Sequence, residues 1–102
     1  MTTLNEAYAV ARAAVETSLA AAIAALPADP ADGSRPFRAY AASRLATFRV
    51  TGRVHDAVMA FTYVAMGEGQ GMGQANKTAW EALRRCVSAA CPEVAMAYSA
   101  TA

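Results

Sequence analysis

The chain has 102 residues, a formal net charge of +1 and a single histidine. A chain of this length forms one domain with a modest core, which excludes a two-layer catalytic fold with a separate lid. The near-neutral charge excludes a long-range attraction of the whole molecule to nucleic acid or to an anionic membrane. We therefore predict a single domain over residues 1–102, in which any such affinity comes from local clusters.

Alanine dominates the composition. It accounts for 28 of the 102 residues and leaves 29 larger apolar side chains. Alanine favours helices and lets helix backbones approach closely, but it adds little to a core. This balance favours thin, closely packed helices that a second copy of the chain or another protein completes. The alanine and arginine usage also suggests a high-GC bacterium or one of its phages as the source.

The cysteines and the N-terminal segment indicate a cytoplasmic protein. On a helix, the Cα atoms of Cys86 and Cys91 would lie about 8 to 9 Å apart, which is too far for a disulfide. A reducing compartment is therefore the simpler location. The first 26 residues carry Glu6, Arg12 and Glu16 and lack a basic start. They fit neither a secretory signal nor a membrane span, so no membrane association is expected.

Two helices are predicted in the first half of the chain. The first covers residues 4–26: the sequence TLNE is a capping-box pattern at its start, apolar residues recur at steps of three and four, and Pro27 ends it. The following segment, PADPADGS, has no apolar periodicity and is typical of a surface connection. The second helix begins at Pro36, a residue favoured in a first helical turn, and reaches about residue 50.

Two more helices are predicted in the second half. One runs from after Gly52 to Gly67, although the Val, Phe and Tyr content of residues 58–64 leaves a strand as the alternative. Four of the six glycines fall within residues 67–76, which predicts an irregular connection. The sequence TAWE, residues 78–81, is a second capping-box pattern, so the fourth helix is expected to begin at about residue 79.

The predicted fold is therefore all-α. It is a compact bundle of four helices with a Gly-rich connection before the last long helix. Pro92 interrupts the fourth helix, and the segment CPEVAMAY could add a short fifth helix with Pro92 in its first turn.

The stretch GQGMGQANKT, residues 69–78, approaches the phosphate-binding pattern G-x-x-x-x-G-K-[ST]. Gly71, Lys77 and Thr78 fit this pattern, but Asn76 stands where it needs glycine and brings a side chain where phosphate would approach. A phosphate-binding loop also follows a buried parallel strand, and this chain has no room for the additional strands. We interpret the stretch as a flexible link that caps the next helix, and we expect no nucleotide, no other cofactor and no enzymatic activity.

Five of the nine basic residues fall between residues 35 and 53, with no Asp or Glu among them, so the local charge is +5. They are Arg35, Arg38, Arg44, Arg49 and Arg53. At 100° per residue, all except Arg44 fall within about 60° of one another, so a helix continuous to residue 53 would present one basic stripe. The stripe could bind carboxylates of a protein partner or phosphates of a nucleic acid. The alternative is an ordinary solvated face neutralised by its sequence neighbours Asp29, Asp32 and Asp56.

Arg44 differs from the other four arginines because it projects from the apolar face of the second helix. Three interpretations stay open: a side chain snorkelling at the edge of the core, an internal ion pair with Glu6 or Glu16, or an interface anchor.

The remaining reactive residues make no recognisable site. His55 has an adjacent acid, Asp56, but no other ligand, so no metal is expected and a solvent-facing or hydrogen-bonded histidine is favoured. Cys86 lies near Arg84 and Arg85, yet no histidine follows it and no Cys-x-x-Cys spacing exists. No catalytic cysteine is therefore expected.

Trp80 is predicted to contribute to a binding surface. Tryptophan is usually a core residue, but Trp, Tyr, Met and Arg are also enriched at interfaces, and this chain has few large apolar residues with which to bury it. A helix-turn-helix DNA-binding motif around Gly52 is disfavoured. The spacing of the Ala and Val residues around the turn fits that motif poorly, and an apolar third helix offers few side chains that could bind base edges.

The sequence thus predicts a non-enzymatic protein-interaction module: an adaptor, inhibitor or assembly factor that docks on an acidic protein surface. A specific version is a phage or mobile-element inhibitor of a host complex, similar in kind to anti-CRISPR proteins, and a homodimer is a further option. The runner-up is a small nucleic-acid-binding helical protein that uses the same arginines, and a nucleotide-dependent enzyme comes last. The predicted partner-binding residues are Arg35, Arg38, Arg44, Arg49, Arg53 and Trp80.

Overall fold

The structure, a computed structural model, describes residues 4–90 and the side chains of residues 6–90; this part of the chain contains four helices and no strand. The helices are α1 (Leu4–Ala25), α2 (Phe37–Thr51), α3 (Val54–Gly67) and α4 (Met72–Ala90). The predicted all-α bundle is confirmed, and the alternative strand over residues 58–64 is wrong because these residues lie inside α3. The first residue of the TLNE pattern, Cys91 and the suggested fifth helix lie outside the described residues.

α3 is the central helix of the bundle. It packs against α2 on one side and α4 on another, and α1 contacts all three other helices. Eight of its 14 residues are buried, among them Val58, Phe61 and Val64. Burial around so much of a short helix is typical of an element surrounded by others. No Cα atom of α2 lies within 8 Å of one in α4, so α3 separates these two helices.

α1 contributes one buried stripe to the core. The stripe repeats at steps of four, and Leu26, directly after the helix, continues it; the members are at most 9% exposed: Ala7, Ala11, Val15, Leu19, Ile23 and Leu26. The spacing matches one face of a helix, as the sequence predicts. By length and composition alone, residues 6–25 of α1 would also suffice to cross a membrane, with 22% of that window buried in the bundle. The expected lack of membrane association stays a prediction.

A carboxylate from the α1–α2 connection fixes the beginning of α2. The two oxygens of Asp29 accept hydrogen bonds from the backbone N–H groups of Arg38 and Ala39, each at 3.0 Å. These are two of the amide groups that have no partner inside the helix, and a negative charge is favourable at a helix N-terminus. Asp29 therefore caps α2 from a position seven residues before the helix's N-cap residue, Pro36.

A glycine and a guanidinium together end α2. Gly52 adopts a left-handed conformation with φ of 65°, and its N–H donates to the carbonyl of Phe48 at 2.7 Å. From α1, Arg12 Nη2 donates to the carbonyls of Phe48, at 3.4 Å, and Arg49. The same guanidinium lies 5.8 Å from the centre of the Phe48 ring. Arg12 thus binds two of the last four carbonyls of α2 and complements the negative end of the helix dipole.

The beginning of α4 differs from the sequence-based expectation. The helix begins at Met72 rather than at about residue 79, so the irregular connection shortens to residues 68–71. Thr78 is not a cap: it lies inside the helix, and its hydroxyl donates to Gln70 Oε1 at 2.8 Å. Ala75 and Ala79 are fully buried. Their burial continues the stripe of Leu83 and Val87 backwards at steps of four, and it offsets the cost of about 1 kcal/mol for a glycine within a helix.

The junction at Gly52 generates a stability prediction. A Cβ atom at this position would lie 2.7 Å from Arg12 Nη1, whereas a Cβ at Gly33, which also has a positive φ, of 77°, would meet no atom within 4 Å. We expect Gly33→Ala to lower the free energy of unfolding by about 1 kcal/mol through backbone strain alone. Gly52→Ala should cost about 2–3 kcal/mol because the guanidinium must also leave its carbonyls. Urea denaturation measures both variants, and equal losses would contradict the role given to Arg12.

Candidate protein-binding surface

The arginines do not form one continuous helical stripe. α2 ends at Thr51, Gly52 reverses the chain, and Arg53 stands at the N-cap of α3. Arg35 precedes α2 and has a positive φ of 46°. The prediction of one stripe required a helix that continues to residue 53. Because α2 covers neither Arg35 nor Arg53, that prediction is wrong at both ends.

What forms instead is a pair of arginines at each end of α2. Arg38 and Arg49 are 11 positions apart on the helix, which places them within about 20° of each other and about 16 Å apart along its axis. Arg35 comes three residues before Arg38, and Arg53 follows Arg49 beyond the turn. The basic charge is thus concentrated at two points along one edge of α2.

The acids nearest in sequence to these arginines are engaged elsewhere. Asp29 binds backbone amides of α2. Asp32 accepts hydrogen bonds from the backbone N–H and the hydroxyl of Ser34, which lower the pKa of its carboxyl group. Asp56 is bound by Arg44 and Thr51.

Four arginines consequently form no ion pair among the described residues. Within residues 6–90, the ion pairs involving arginine are Arg12 with Glu16 and Arg44 with Asp56. The side chains of Arg35, Arg38, Arg49 and Arg53 have no ion-pair partner in this part of the chain. Asp29 keeps its negative charge beside Arg35 and Arg38, so the neighbouring acids offset part of the arginine charge without pairing with these side chains.

Arg44 belongs to an internal polar cluster at the α2–α3 junction. Its Nη1 lies 3.7 Å from Asp56 Oδ1, and the Thr51 hydroxyl donates to Asp56 Oδ2 at 2.5 Å. The Asp56 side chain is 7% exposed and that of Arg44 39% exposed. The ion pair foreseen for Arg44 does form, but with Asp56 rather than with Glu6 or Glu16. Because Arg44 neutralises a buried carboxylate, its charge is not available to a binding partner, whereas the charges of the other four arginines are.

The exposed residues between the two arginine pairs, on the edge of α2 that carries them, are Ala42 and Ala46. Val50, directly after Arg49, is 83% exposed. Tyr40, 47% exposed, lies on the opposite edge of the helix, about 180° around from Arg49. Tyr40 packs on the half-buried Tyr63 of α3, with ring centroids 5.3 Å apart. We call the edge with the arginines the α2 surface and define it by these residues: Arg35, Arg38, Ala42, Ala46, Arg49, Val50 and Arg53.

Trp80 does not join the α2 surface. It lies on α4, which has no contact with α2, and its half-buried ring packs against the core. The guanidinium of Arg84 lies 5.8 Å from the centre of this ring. The structure therefore separates Trp80 from the arginines with which the sequence grouped it, and any role of Trp80 in binding stays a separate prediction.

The structure also gives the positions of the stretch that approaches a phosphate-binding pattern and of the reactive residues His55 and Cys86. From Met72 onwards the GQGMGQANKT stretch is helical, so its backbone does not form a loop of the phosphate-binding kind. His55 is exposed, and Cys86 is a half-buried free thiol. Among the residues that the structure describes, no three His, Cys, Asp or Glu side chains are grouped so as to hold a metal ion. α3 cannot act as a recognition helix in a DNA groove, because most of it is buried.

Two structural contributors have no clear signal in the sequence. Arg12 looks like one half of an ordinary i, i+4 pair with Glu16, and that pair does form at 3.5 Å. Its second role, binding the end of α2, depends on how the helices pack. Asp29 was foreseen only as a possible neutraliser of arginine side chains, whereas it binds backbone amides instead.

Comparison with known protein families, with characterised proteins and with solved structures finds no match to this chain. The surface chemistry of the described residues is therefore the basis for a functional proposal.

The cluster at the α2–α3 junction generates a second prediction. A double-mutant cycle with Arg44→Ala and Asp56→Ala should give a coupling energy of about 1 kcal/mol or more, since removal of Arg44 leaves a buried carboxylate without its counter-ion. The matched control is the cycle with Arg12→Ala and Glu16→Ala, whose side chains are 39% and 30% exposed. This more solvated pair should couple by only about 0.3–0.5 kcal/mol. Urea denaturation of the single and double variants gives both values, and a reversed order would refute the assignment.

Proposed function

We propose that this chain is a non-enzymatic binding protein that docks its α2 surface onto an acidic patch of a protein partner. The observation that carries the proposal is that the side chains of Arg35, Arg38, Arg49 and Arg53 form no ion pair in the described part of the chain, because the acids nearest in sequence bind other groups. Arginine charge of this kind gives orientation and fast association with a carboxylate-bearing surface. The partner supplies the counter-charge that the described part of the chain lacks.

The distribution of residue types on the α2 surface supports a protein partner. Protein interfaces combine an apolar centre with a polar rim, and Tyr and Arg are enriched in them. On the α2 surface, Ala42 and Ala46 lie between the arginine pairs, and the exposed Val50 lies beside Arg49. Small side chains let a partner's backbone approach the helix closely, and Val50 adds apolar contact area.

The same charge argues against a homodimer built on this surface. A two-fold symmetric contact would bring the α2 surface against its own copy, and arginines would face arginines. Like charges brought together cost several kcal/mol in an interface. A different protein with an acidic surface is the better occupant.

Within this class we favour a cytoplasmic inhibitor carried by a phage or mobile element, similar in kind to anti-CRISPR proteins. The small size, the Ala-rich and Arg-rich composition and a single docking helix support this choice. An adaptor or assembly factor would use the surface in the same way and differ in what the bound partner then does.

The second candidate is a nucleic-acid-binding protein that uses the same four arginines. The charge concentrated on one edge of α2 favours it, because arginine binds phosphate as readily as carboxylate. The formal net charge of only +1 and the apolar middle of the surface weigh against it.

Charge reversal tests the docking proposal. The double variant Arg38→Glu/Arg49→Glu should lose the partner captured by wild-type protein from the native host, because acids would then face acids. Mass spectrometry identifies and quantifies the captured protein, and purified partner confirms the loss by calorimetry. The melting temperature should stay within about 2 °C of wild type, since neither side chain has an ion-pair partner among the described residues.

The matched control is Arg85→Glu, a charge reversal at an exposed position on α4. It changes the net charge in the same direction away from the α2 surface, so capture should be retained. Equal capture of the partner by wild-type protein and by the double variant would contradict the docking proposal. Binding to duplex DNA or RNA that weakens steeply with salt would instead favour the second candidate.

A further inference from the structure

A cleft opens at the N-terminal end of the α2 surface. It lies between the α1–α2 connection, the beginning of α2 and the end of α3, and its volume is about 280 Å³. Its apolar lining includes Leu26, Phe37 and Met66, and its charged lining consists of Asp29, Arg35 and Arg38. The cleft therefore joins an apolar floor to one of the two arginine pairs.

The charges of the cleft favour a single anionic group. Arg35 and Arg38 contribute +2 and Asp29 contributes −1, which leaves +1. Both oxygens of Asp29 already accept backbone N–H groups at the beginning of α2. The helix terminus is thus satisfied from within the chain, and the guanidinium groups are what the cleft offers an anion. Paired guanidinium donors suit the planar geometry of a carboxylate.

Arg35 occupies the rim of the cleft in an unusual conformation. Its φ of 46° lies in the left-handed region, which costs a side-chain-bearing residue about 1–2 kcal/mol. Its carbonyl accepts the N–H of Phe37 at 2.8 Å, which closes a tight turn centred on Pro36. A glycine or asparagine would adopt the left-handed conformation of residue 35 with less strain. The presence of arginine here is consistent with a use for its guanidinium, because strained residues concentrate at binding sites.

We propose that this cleft binds the C-terminal residue of the partner chain, with the terminal carboxylate on Arg35 and Arg38 and an apolar last side chain on the floor. The assignment rests on the proposed docking function, of which it names the anchor. Sites for cofactors and drug-sized ligands occupy about 300–1,000 Å³, so this cleft is suited to one residue rather than to a nucleotide. A C-terminal residue carries a carboxylate and an apolar side chain together, as the lining requires. An internal Asp or Glu would bring the charge without the apolar group.

The test is a titration of the full chain with a short peptide, acetyl-Ala-Ala-Leu, with a free C-terminal carboxylate or as the C-terminal amide. Backbone amide resonances in two-dimensional NMR report the site. We expect the free acid to shift resonances of residues 26–38 and 66–69. The amide should bind at least about tenfold more weakly, because it lacks the charge that the guanidinium groups recognise. No shift in these residues, or equal affinity for acid and amide, overturns the proposal.

Two variants separate the cleft from the rest of the surface. Arg35→Asn keeps a residue that tolerates the left-handed conformation, so its melting temperature should not fall, yet its affinity for the free acid should drop at least about tenfold. Arg49→Glu lies at the other end of α2 and should leave the titration unchanged. Weakening by Arg49→Glu, or an unaffected Arg35→Asn, overturns the cleft assignment. The titration needs no partner. A negative titration therefore contradicts the cleft assignment without affecting the docking proposal, and retained capture by the charge-reversal variant contradicts the docking proposal without affecting the titration.

Discussion

The turn at Gly52, which Arg12 of α1 supports by binding carbonyls at the end of α2, is the feature on which the arrangement of the arginines depends. Gly52 ends α2 in a left-handed conformation and leads the chain into the buried helix α3. Without that turn, α2 would continue and Arg53 would extend one stripe of arginines. Because the chain turns, the arginines fall into two pairs at the ends of a short helix, and a partner of the kind we propose would have to match two separated points of charge. The geometry of the α2 surface thus follows from the turn at Gly52.

The existence and type of all four helices could be predicted from the sequence, because apolar periodicity and helix-breaking residues are local signals. Pro27 and Gly52 marked their boundaries well. The beginning of α4 could not be predicted in the same way. Glycine content argued for a loop over residues 72–76, whereas the burial of Ala75 and Ala79 against the bundle outweighs the propensity cost. Tertiary packing commonly overrides local propensity in this way.

The candidate site was predictable in composition but not in arrangement. A run of five arginines without an acid is visible in the sequence, and four of them form no ion pair among the described residues. The use of Asp29 for backbone amides and of Asp56 for Arg44 depends on which helices meet, so the sequence could not say which arginines stay available. It also could not show that Trp80 lies on a helix without contact to α2. The cleft beside Arg35 is formed by residues 26–30, 35–38 and 66–69 together, so no local sequence pattern indicates it.

Hydrogen–deuterium exchange of the chain, alone and in complex with its captured partner, distinguishes binding at the α2 surface from binding elsewhere on the molecule. Docking through the α2 surface predicts slowed exchange in peptides covering residues 35–53, with little change in those covering α4. Slowed exchange centred on α4 around Trp80, with residues 35–53 unaffected, would show that the partner binds a different surface.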